Sequence, residues 1–451
     1  MRRHSIIARL GPADITPLPV HVADSVLTEI RFIDGERRLG FGLGQMIDQL
    51  VHRGMYPSDR AIDLAILAAV VTAADTRISR TIDSQDGWTR EIDLYLPVEQ
   101  PDVWSSQAPL IERNLHFLTG DLWRVFFRAR HAAYEKIIDI PTELLSPPFQ
   151  SVCLFSGGLD SFVGAVDLLA ANENSLFVSH YWDVSTSSQN LCAQGIGTIY
   201  GDMTPRHVRA RVGFPDDLVQ GSAPEKTTRG RSFLFLALAA LAGSALASPT
   251  IFIPENGLIS LNVPLDPLRL GAWSTRTTHP FYLARWQEML DYLGISATIR
   301  NPYRFKTKGE MLSGSANPTF VRQHVGETIS CSSVTKARWL GLPLGHCGYC
   351  APCLIRRAAI RAAFGNDPTT YSLSNLTARP LDGRSAESEH VRSFQLMGRR
   401  LSQSPGIEQV LVHKPGPLFD YPTADITNYA AVFQRGIEEV GNILQGVTVR
   451  P

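Results

Sequence analysis

The sequence predicts an α/β protein in which a parallel sheet carries helices on both faces, preceded by a mixed α/β N-terminal domain. Three observations lead there. Short apolar runs alternate with helical patterns from residue 151 onward, the order that builds parallel strands joined by crossover helices. A Gly-rich turn separates the first of those runs from the helix after it. Four of the six cysteines crowd between Cys331 and Cys353.

The elements follow in order. Residues 1–145 mix strand and helix signals: a helical pattern runs from Ala61 to Ala74, and Glu91–Leu96 alternates apolar and polar residues as a strand does. Ser146-Pro147-Pro148 interrupts the chain, since proline removes donors and restricts its neighbour, and places a domain boundary there. Ser151–Phe155 is an apolar run suited to a strand buried on both faces. Ser161–Ala171 reads as a helix, Ser175–Ser179 as a second strand, Ser232–Ala247 as a long helix and Thr250–Ile253 as a further strand. This second domain extends over residues 146–365. Asn366–Glu389, rich in Ser, Thr, Asp and Pro, reads as an exposed loop, and residues 390–451 as a helical closing segment clearest from Ala424 to Leu444.

Composition narrows the class. The chain has 451 residues, 44% apolar and 19% charged, which is the balance of a globular protein. Lys plus Arg and Asp plus Glu both total 43, so the basic excess of a protein that grips long nucleic acid is missing. The most apolar stretch, Ser232–Ala247, is shorter than the roughly 20 residues a membrane span needs. With no secretory pattern at the N-terminus, a cytoplasmic location is expected, where clustered cysteines bind metal rather than form disulfides.

The turn Ser156-Gly157-Gly158-Leu159-Asp160-Ser161 is the first candidate site. Two glycines let backbone N–H groups face an anion, and the helix behind them aims its positive end at the same point. Ser156 and Ser161 add hydroxyls. Asp160 would repel phosphates unless a cation lies between, which assigns it to holding Mg²⁺ or orienting a metal-bound phosphate. The plain alternative is an ordinary turn with Ser and Asp as helix caps. Cys347, Cys350 and Cys353 are spaced C-x2-C-x2-C with Cys331 upstream, a set that suits a closed structural Zn²⁺ site; an iron–sulfur cluster is the competing reading.

The six-residue turn resembles the signature of the PP-loop ATP pyrophosphatases, which implies ATP as cofactor and an adenine-nucleotide alpha-hydrolase-like sheet. Together with Cys331 and His346-Cys347-Gly348-Tyr349-Cys350-Ala351-Pro352-Cys353-Leu354-Ile355-Arg356, it resembles the 7-cyano-7-deazaguanine synthase (QueC) family across roughly residues 150–365. Two segments fit that pattern further: Arg229-Gly230-Arg231, and Lys306-Thr307-Lys308-Gly309-Glu310-Met311. Residues 1–145 and 390–451 have no counterpart in the usual QueC chain. Ser179-His180-Tyr181-Trp182 also departs from it. The segment Pro254-Glu255-Asn256-Gly257 is similar to that of the longer relatives typified by QatC of the bacterial Qat anti-phage defence system.

The resemblance implies ATP-dependent activation of the carboxylate of 7-carboxy-7-deazaguanine and attack by an amine, making the protein a carbon–nitrogen ligase. Ammonia would give the nitrile base preQ0; the N-terminus of a partner protein from the same defence operon would give a conjugate. A non-catalytic ATP-binding scaffold and a PP-loop thiolase acting on nucleic acid are the remaining readings. Arg231 and Lys308 are candidates for neutralising phosphate charge, or are helix-end cations. Glu255 and Asn256 are candidates for reading the deazaguanine edge, or form a turn after a strand. His180 either touches adenine or is a half-buried histidine. Cys153 reads as strand core, and Cys192 has no evident partner.

Overall fold

The computed structural model describes residues 2–34, 38–142, 147–181, 183–225, 227–266, 276–332, 334 and 345–450. Ser146 and Trp182, singled out above, lie outside the described residues. The N-terminal part contains β1 (Arg3–Arg9), β2 (Val26–Arg31), α1 (Leu43–Val51), α2 (Asp59–Arg77), α3 (Arg80–Asp83), β3 (Glu91–Val98), α4 (Pro101–Ser106), α5 (Ala108–Thr119) and β4 (Leu122–Ala129). Its four strands form one sheet in the order β2-β1-β3-β4, all parallel. The alternation seen at Glu91–Leu96 does not mark a solvated face, because β3 is buried nearly throughout. Its polar position Asp93 is neutralised by Arg124 on β4, with Nε and Nη2 at 2.6 and 2.9 Å from the two carboxylate oxygens.

The second sheet comprises β5 (Ser151–Leu154), β6 (Ser175–His180), β7 (His207–Ala210), β8 (Thr250–Phe252) and β9 (Thr298–Arg300), ordered β7-β6-β5-β8-β9 and again all parallel. Between and after these strands lie α6 (Leu159–Ala170), α7 (Asp183–Tyr200), α8 (Arg231–Gly243), α9 (Gly257–Leu261), α10 (Pro280–Tyr292), α11 (Lys308–Ser313) and α12 (Pro318–His324). The chain closes with α13 (Ala351–Phe364), β10 (Leu381–Asp382), α14 (Ala386–Gln403), α15 (Glu408–Leu411), α16 (Thr423–Ile443) and β11 (Val449–Arg450). The stretch read as an exposed loop ends at β10, which pairs with β11, and α14 starts at Ala386.

Helix α8 is apolar on every side because it is covered on every side. It lies against β5, β6 and β8 on one flank and against α2 on the other, while α2 rests on β1 and β3. The order is therefore sheet, helix, helix, sheet, and one apolar core runs through all four layers. Phe233, Leu234, Leu236, Leu238 and Leu241 are buried along α8, each stabilising by roughly 1.5–3 kcal/mol. On the opposite face of the second sheet, α6 packs with Phe162, Val163 and Val166 against Phe177, Ile196, Phe320 and Met311. A third core joins α13, α14 and α16 to Leu258 and Leu261 of α9.

A buried charge cluster secures one edge of this stack. Asp121 accepts from Arg90 Nη2 at 2.7 Å, from Arg80 Nη2 at 2.8 Å and from the Arg90 backbone N–H at 3.0 Å. Asp75, at the end of α2, accepts from Arg90 Nη2 at 3.0 Å and from the Gly230 N–H at 2.7 Å. Burial pushes the Asp121 pKa up, but Arg90 and Arg80 outweigh it and hold the carboxyl below its ordinary value. Asp121→Ala leaves two buried guanidinium groups short of a counter-charge, and is expected to lower stability by about 3–5 kcal/mol in urea unfolding, against under about 1 kcal/mol for a surface aspartate control.

Candidate functional site

In the second sheet, β5 connects toward β6 on one side, and the chain later returns to place β8 on its other side. The carboxyl ends of β5 and β8 therefore flank a topological switch point, the place where open α/β sheets form a crevice. The Ser156–Ser161 turn leaves β5 at this end, and Pro254–Asn256 leaves β8 beside it.

The turn is built by cross-bonding. Ser161 Oγ donates to the Gly158 carbonyl at 3.0 Å, lies 3.1 Å from Ser156 Oγ, and accepts from the Ser156 N–H at 3.1 Å. Gly157 has φ +78°, in the left-handed region, and a Cβ there would come within 2.9 Å of the Gln189 backbone nitrogen. Its carbonyl accepts from Ser188 Oγ at 2.7 Å and from the Ile329 N–H at 3.0 Å. Leu159 turns into the core under the sheet. Gly158 caps α6 without a side chain, so the first N–H groups of that helix look outward past a bare backbone.

Asp160, in the first turn of α6, meets the β8 side of the crevice. It is 6% exposed; Lys308, at the start of α11, is 3% exposed, and its Nζ stands 2.7 Å from Asp160 Oδ1. The other oxygen accepts from Asn256 Nδ2 at 2.7 Å and from its backbone N–H at 3.1 Å. Asn256 Nδ2 also reaches Glu255 Oε1 at 3.3 Å, and its Oδ1 caps α9 by accepting from the Ile259 N–H at 3.1 Å. Both polar atoms of the Asn256 side chain are thus engaged within the protein. Burial raises the Asp160 pKa, but Lys308 and hydrogen bonds from Glu255, Lys308 and Asn256 bring it below the ordinary value. Glu255 goes the other way: burial, then the Asp160 charge and a hydrogen bond with Asp160, push it well up.

Lys308 is positioned by the C-terminal segment. Thr307 and Glu310 form a capping box at the start of α11, and Glu439 of α16 accepts from Thr307 Oγ1 at 2.7 Å and from the Gly309 N–H at 3.2 Å. Around the end of β6, His180 places Nε2 3.2 Å from the Val212 carbonyl and backbone N–H, while its Nδ1 is buried with no hydrogen-bond partner among the described residues. Burial, with a contribution from the Arg231 charge, lowers His180 to about 4, so the ring is neutral at pH 7. Arg231 opens α8, its guanidinium 5.1 Å from the Phe235 ring centre, and no carboxylate pairs with it among the described residues. Arg231 remains exposed at the head of the helix.

The four cysteines converge. Cys331 and Cys350 sulfurs are 3.9 Å apart, as are those of Cys347 and Cys353, and all four sulfurs lie within 4.8 Å of one another. Four thiolates about 2.3 Å from a tetrahedral ion would be roughly 3.8 Å apart, so the set could hold one zinc ion. Thiolates of a multi-iron cluster bind different iron atoms and spread further. Gly348 turns the loop at φ +91°, and backbone N–H groups of Cys347 and Cys350 each lie 3.4 Å from a cysteine sulfur. Arg356 ties this loop to the turn that follows α12, donating to Thr328 Oγ1 at 2.7 Å and to the Val325 carbonyl at 2.5 Å. Cys153 is strand core and Cys192 is buried near Gly157.

The sequence singled out neither Ser188 and Gln189, which brace Gly157, nor Glu439, which braces Lys308. Each acts through a contact between distant segments and carries no local signature. A scan of protein-family models and a search of curated proteins both return no match to this chain.

Two expectations follow. A raised carboxyl pKa favours the folded state at low pH and loses that advantage as pH rises through the folded value. In Glu255→Gln, the decline in melting temperature between pH 5 and 9, measured without nucleotide or divalent cation, should therefore be smaller than in the parent protein. Elemental analysis should find about one metal ion per chain, lost together with thermal stability in Cys350→Ser. An unchanged metal content in that variant would count against the four-cysteine site.

Proposed function

We propose that the chain binds ATP at the Ser156–Ser161 turn and uses it to activate the carboxylate of a 7-deazaguanine for attack by an amine, as a QueC-like PP-loop ligase of the longer, anti-phage type. The observation that carries this reading is the placement of that turn at the switch point, with its own Asp160 paired to the buried Lys308. ATP supplies a leaving group, since a free carboxylate is a poor electrophile and joining it to the α-phosphate releases pyrophosphate.

The chain's own residues supply the rest. The bare backbone of Gly157 and Gly158, the Ser156 and Ser161 hydroxyls and the α6 N-terminus hold phosphate oxygens. Lys308 and Arg231 offset the charge developing on the departing pyrophosphate. The free Nδ1 of neutral His180 meets the adenine edge. Asp160 is the residue that would hold Mg²⁺, whose preference for oxygen ligands its carboxyl meets. Asn256 orients Asp160 and is a positioning residue, while the substrate edge falls to Glu255. The four-cysteine loop, carrying zinc, anchors the segment that hydrogen-bonds to Gly157 through Ile329. A soluble, cytoplasmic setting accords with this chemistry.

The test is incubation with ATP and 7-carboxy-7-deazaguanine, following pyrophosphate release and scanning products by mass. An amide or nitrile with ammonia identifies a stand-alone preQ0 synthase. Product found only with an operon partner, as a conjugate on its N-terminus, identifies the protein-directed ligase. Lys308→Met and Ser161→Ala should each lower kcat by about 10²-fold or more, with smaller changes in KM. ATP binding without turnover on any such carboxylate would leave the scaffold and thiolase readings.

A further inference from the structure

A cavity of about 850 Å³ opens where residues 88–120, 227–229, 276–281 and 415–417 meet, with Ser332 also in its wall. That volume suits a small molecule. Its lining shares no residue with the Ser156–Ser161 turn or with Asp160, Glu255 and Lys308. Three arginines, Arg113, Arg229 and Arg276, line it, and no aspartate or glutamate does among the described residues.

Two of these arginines are held rigidly. The Arg229 guanidinium stacks 3.7 Å from the Trp88 ring centre and donates to the Thr119 carbonyl at 3.1 Å. The Arg276 guanidinium sits 4.7 Å from the Phe117 ring centre and donates to the Phe117 carbonyl at 3.1 Å. Each guanidinium has five N–H donors, so most remain for a ligand. Burial, then the charge of Arg80, lowers Arg229 to about 10, and burial lowers Arg276; at neutral pH a guanidinium at 10 is still charged. Asp75 and Asp121, the carboxylates whose charge reaches Arg229, are already bonded to Arg80, Arg90 and the Gly230 N–H. Arg113 is exposed at the rim.

Half-buried cations without a counter-charge destabilise the folded chain unless an anion joins them, and stacked, pre-oriented guanidinium forks match planar oxyanions. We propose that this cavity binds a small ligand through an oxyanion, carboxylate or phosphate, held by Arg229 and Arg276 with Arg113 at the entrance. The site needs residues 88–120 and 415–417 as well as the loop-bearing sheet, so it gives the added N- and C-terminal segments a binding role of their own. It does not depend on the proposed ATP chemistry.

Trp88, lying under Arg229, is the reporter. The full chain is titrated with pyrophosphate in one arm and citrate in the other, at constant ionic strength, by tryptophan fluorescence and calorimetry. Saturable binding is expected for at least one anion, and which one responds separates phosphate from carboxylate. The fluorescence change should vanish in Trp88→Phe. Arg229→Gln/Arg276→Gln should weaken binding by at least about tenfold. Arg113→Gln, at an exposed position that leaves folding intact, should weaken it by a smaller factor. Absence of saturable binding to either anion, a signal that persists in Trp88→Phe, or affinity unchanged in both arginine variants overturns the proposal.

Discussion

The buried hydrogen bond from the Gly230 N–H to Asp75 ties the two sheets together at the point where chemistry would need them aligned. Asp75 closes α2, and Gly230 precedes Arg231 at the head of α8. The carboxylate that fixes Gly230 is itself held by Arg90, and Arg90 by Asp121, beside the start of β4. A chain of charge-assisted bonds away from water tolerates little displacement, because any loosened member becomes an unpaired buried charge. The position of Arg231 is thus inherited from the N-terminal sheet. The apolar packing of α2 on α8 brings the sheets together without choosing a register; the charges choose it.

The same logic recurs at the crevice. Apolar burial places β5 and β8 side by side, and nothing apolar distinguishes their carboxyl ends from their amino ends. What distinguishes them is the set of groups the chain leaves there: bare glycine backbone, a helix N-terminus, and two neighbouring carboxyls beside a buried lysine. Asp160 and Glu255 are thus pushed in opposite directions, Asp160 down by Lys308 and Glu255 up by burial and by Asp160. Such an arrangement favours the arrival of a cation or a polar ligand over the empty site.

The closing segments act as clamps. Helix α16 supplies Glu439 to the head of α11 and so holds the backbone that carries Lys308. The cysteine loop reaches the Ser156–Ser161 turn through Arg356, the residues around Val325 and Thr328, and the Ile329 bond to Gly157. Removing either clamp would leave the turn intact in sequence and loose in space.

Much was legible in the residues themselves. Apolar runs of four or five residues between turn signals gave β5, β6 and β8 because a strand buried on both faces needs little else. Gly157 marked the tight turn after β5 because its backbone lies in the left-handed region, and C-x2-C-x2-C gathered three sulfurs because one tight loop suffices. Cys331, sixteen residues before Cys347, still had to be brought in by folding. Tertiary structure alone decided that Asp160 pairs with Lys308, that Asn256 supports a carboxylate from within, and that Asp75, Ser188, Gln189 and Glu439 brace the site. It alone assembled the arginine cavity from stretches far apart in the chain. Local sequence encodes what a backbone can do within a turn or two. Which charges meet across a hundred residues depends on how helices and sheets stack, and no short-range pattern records it.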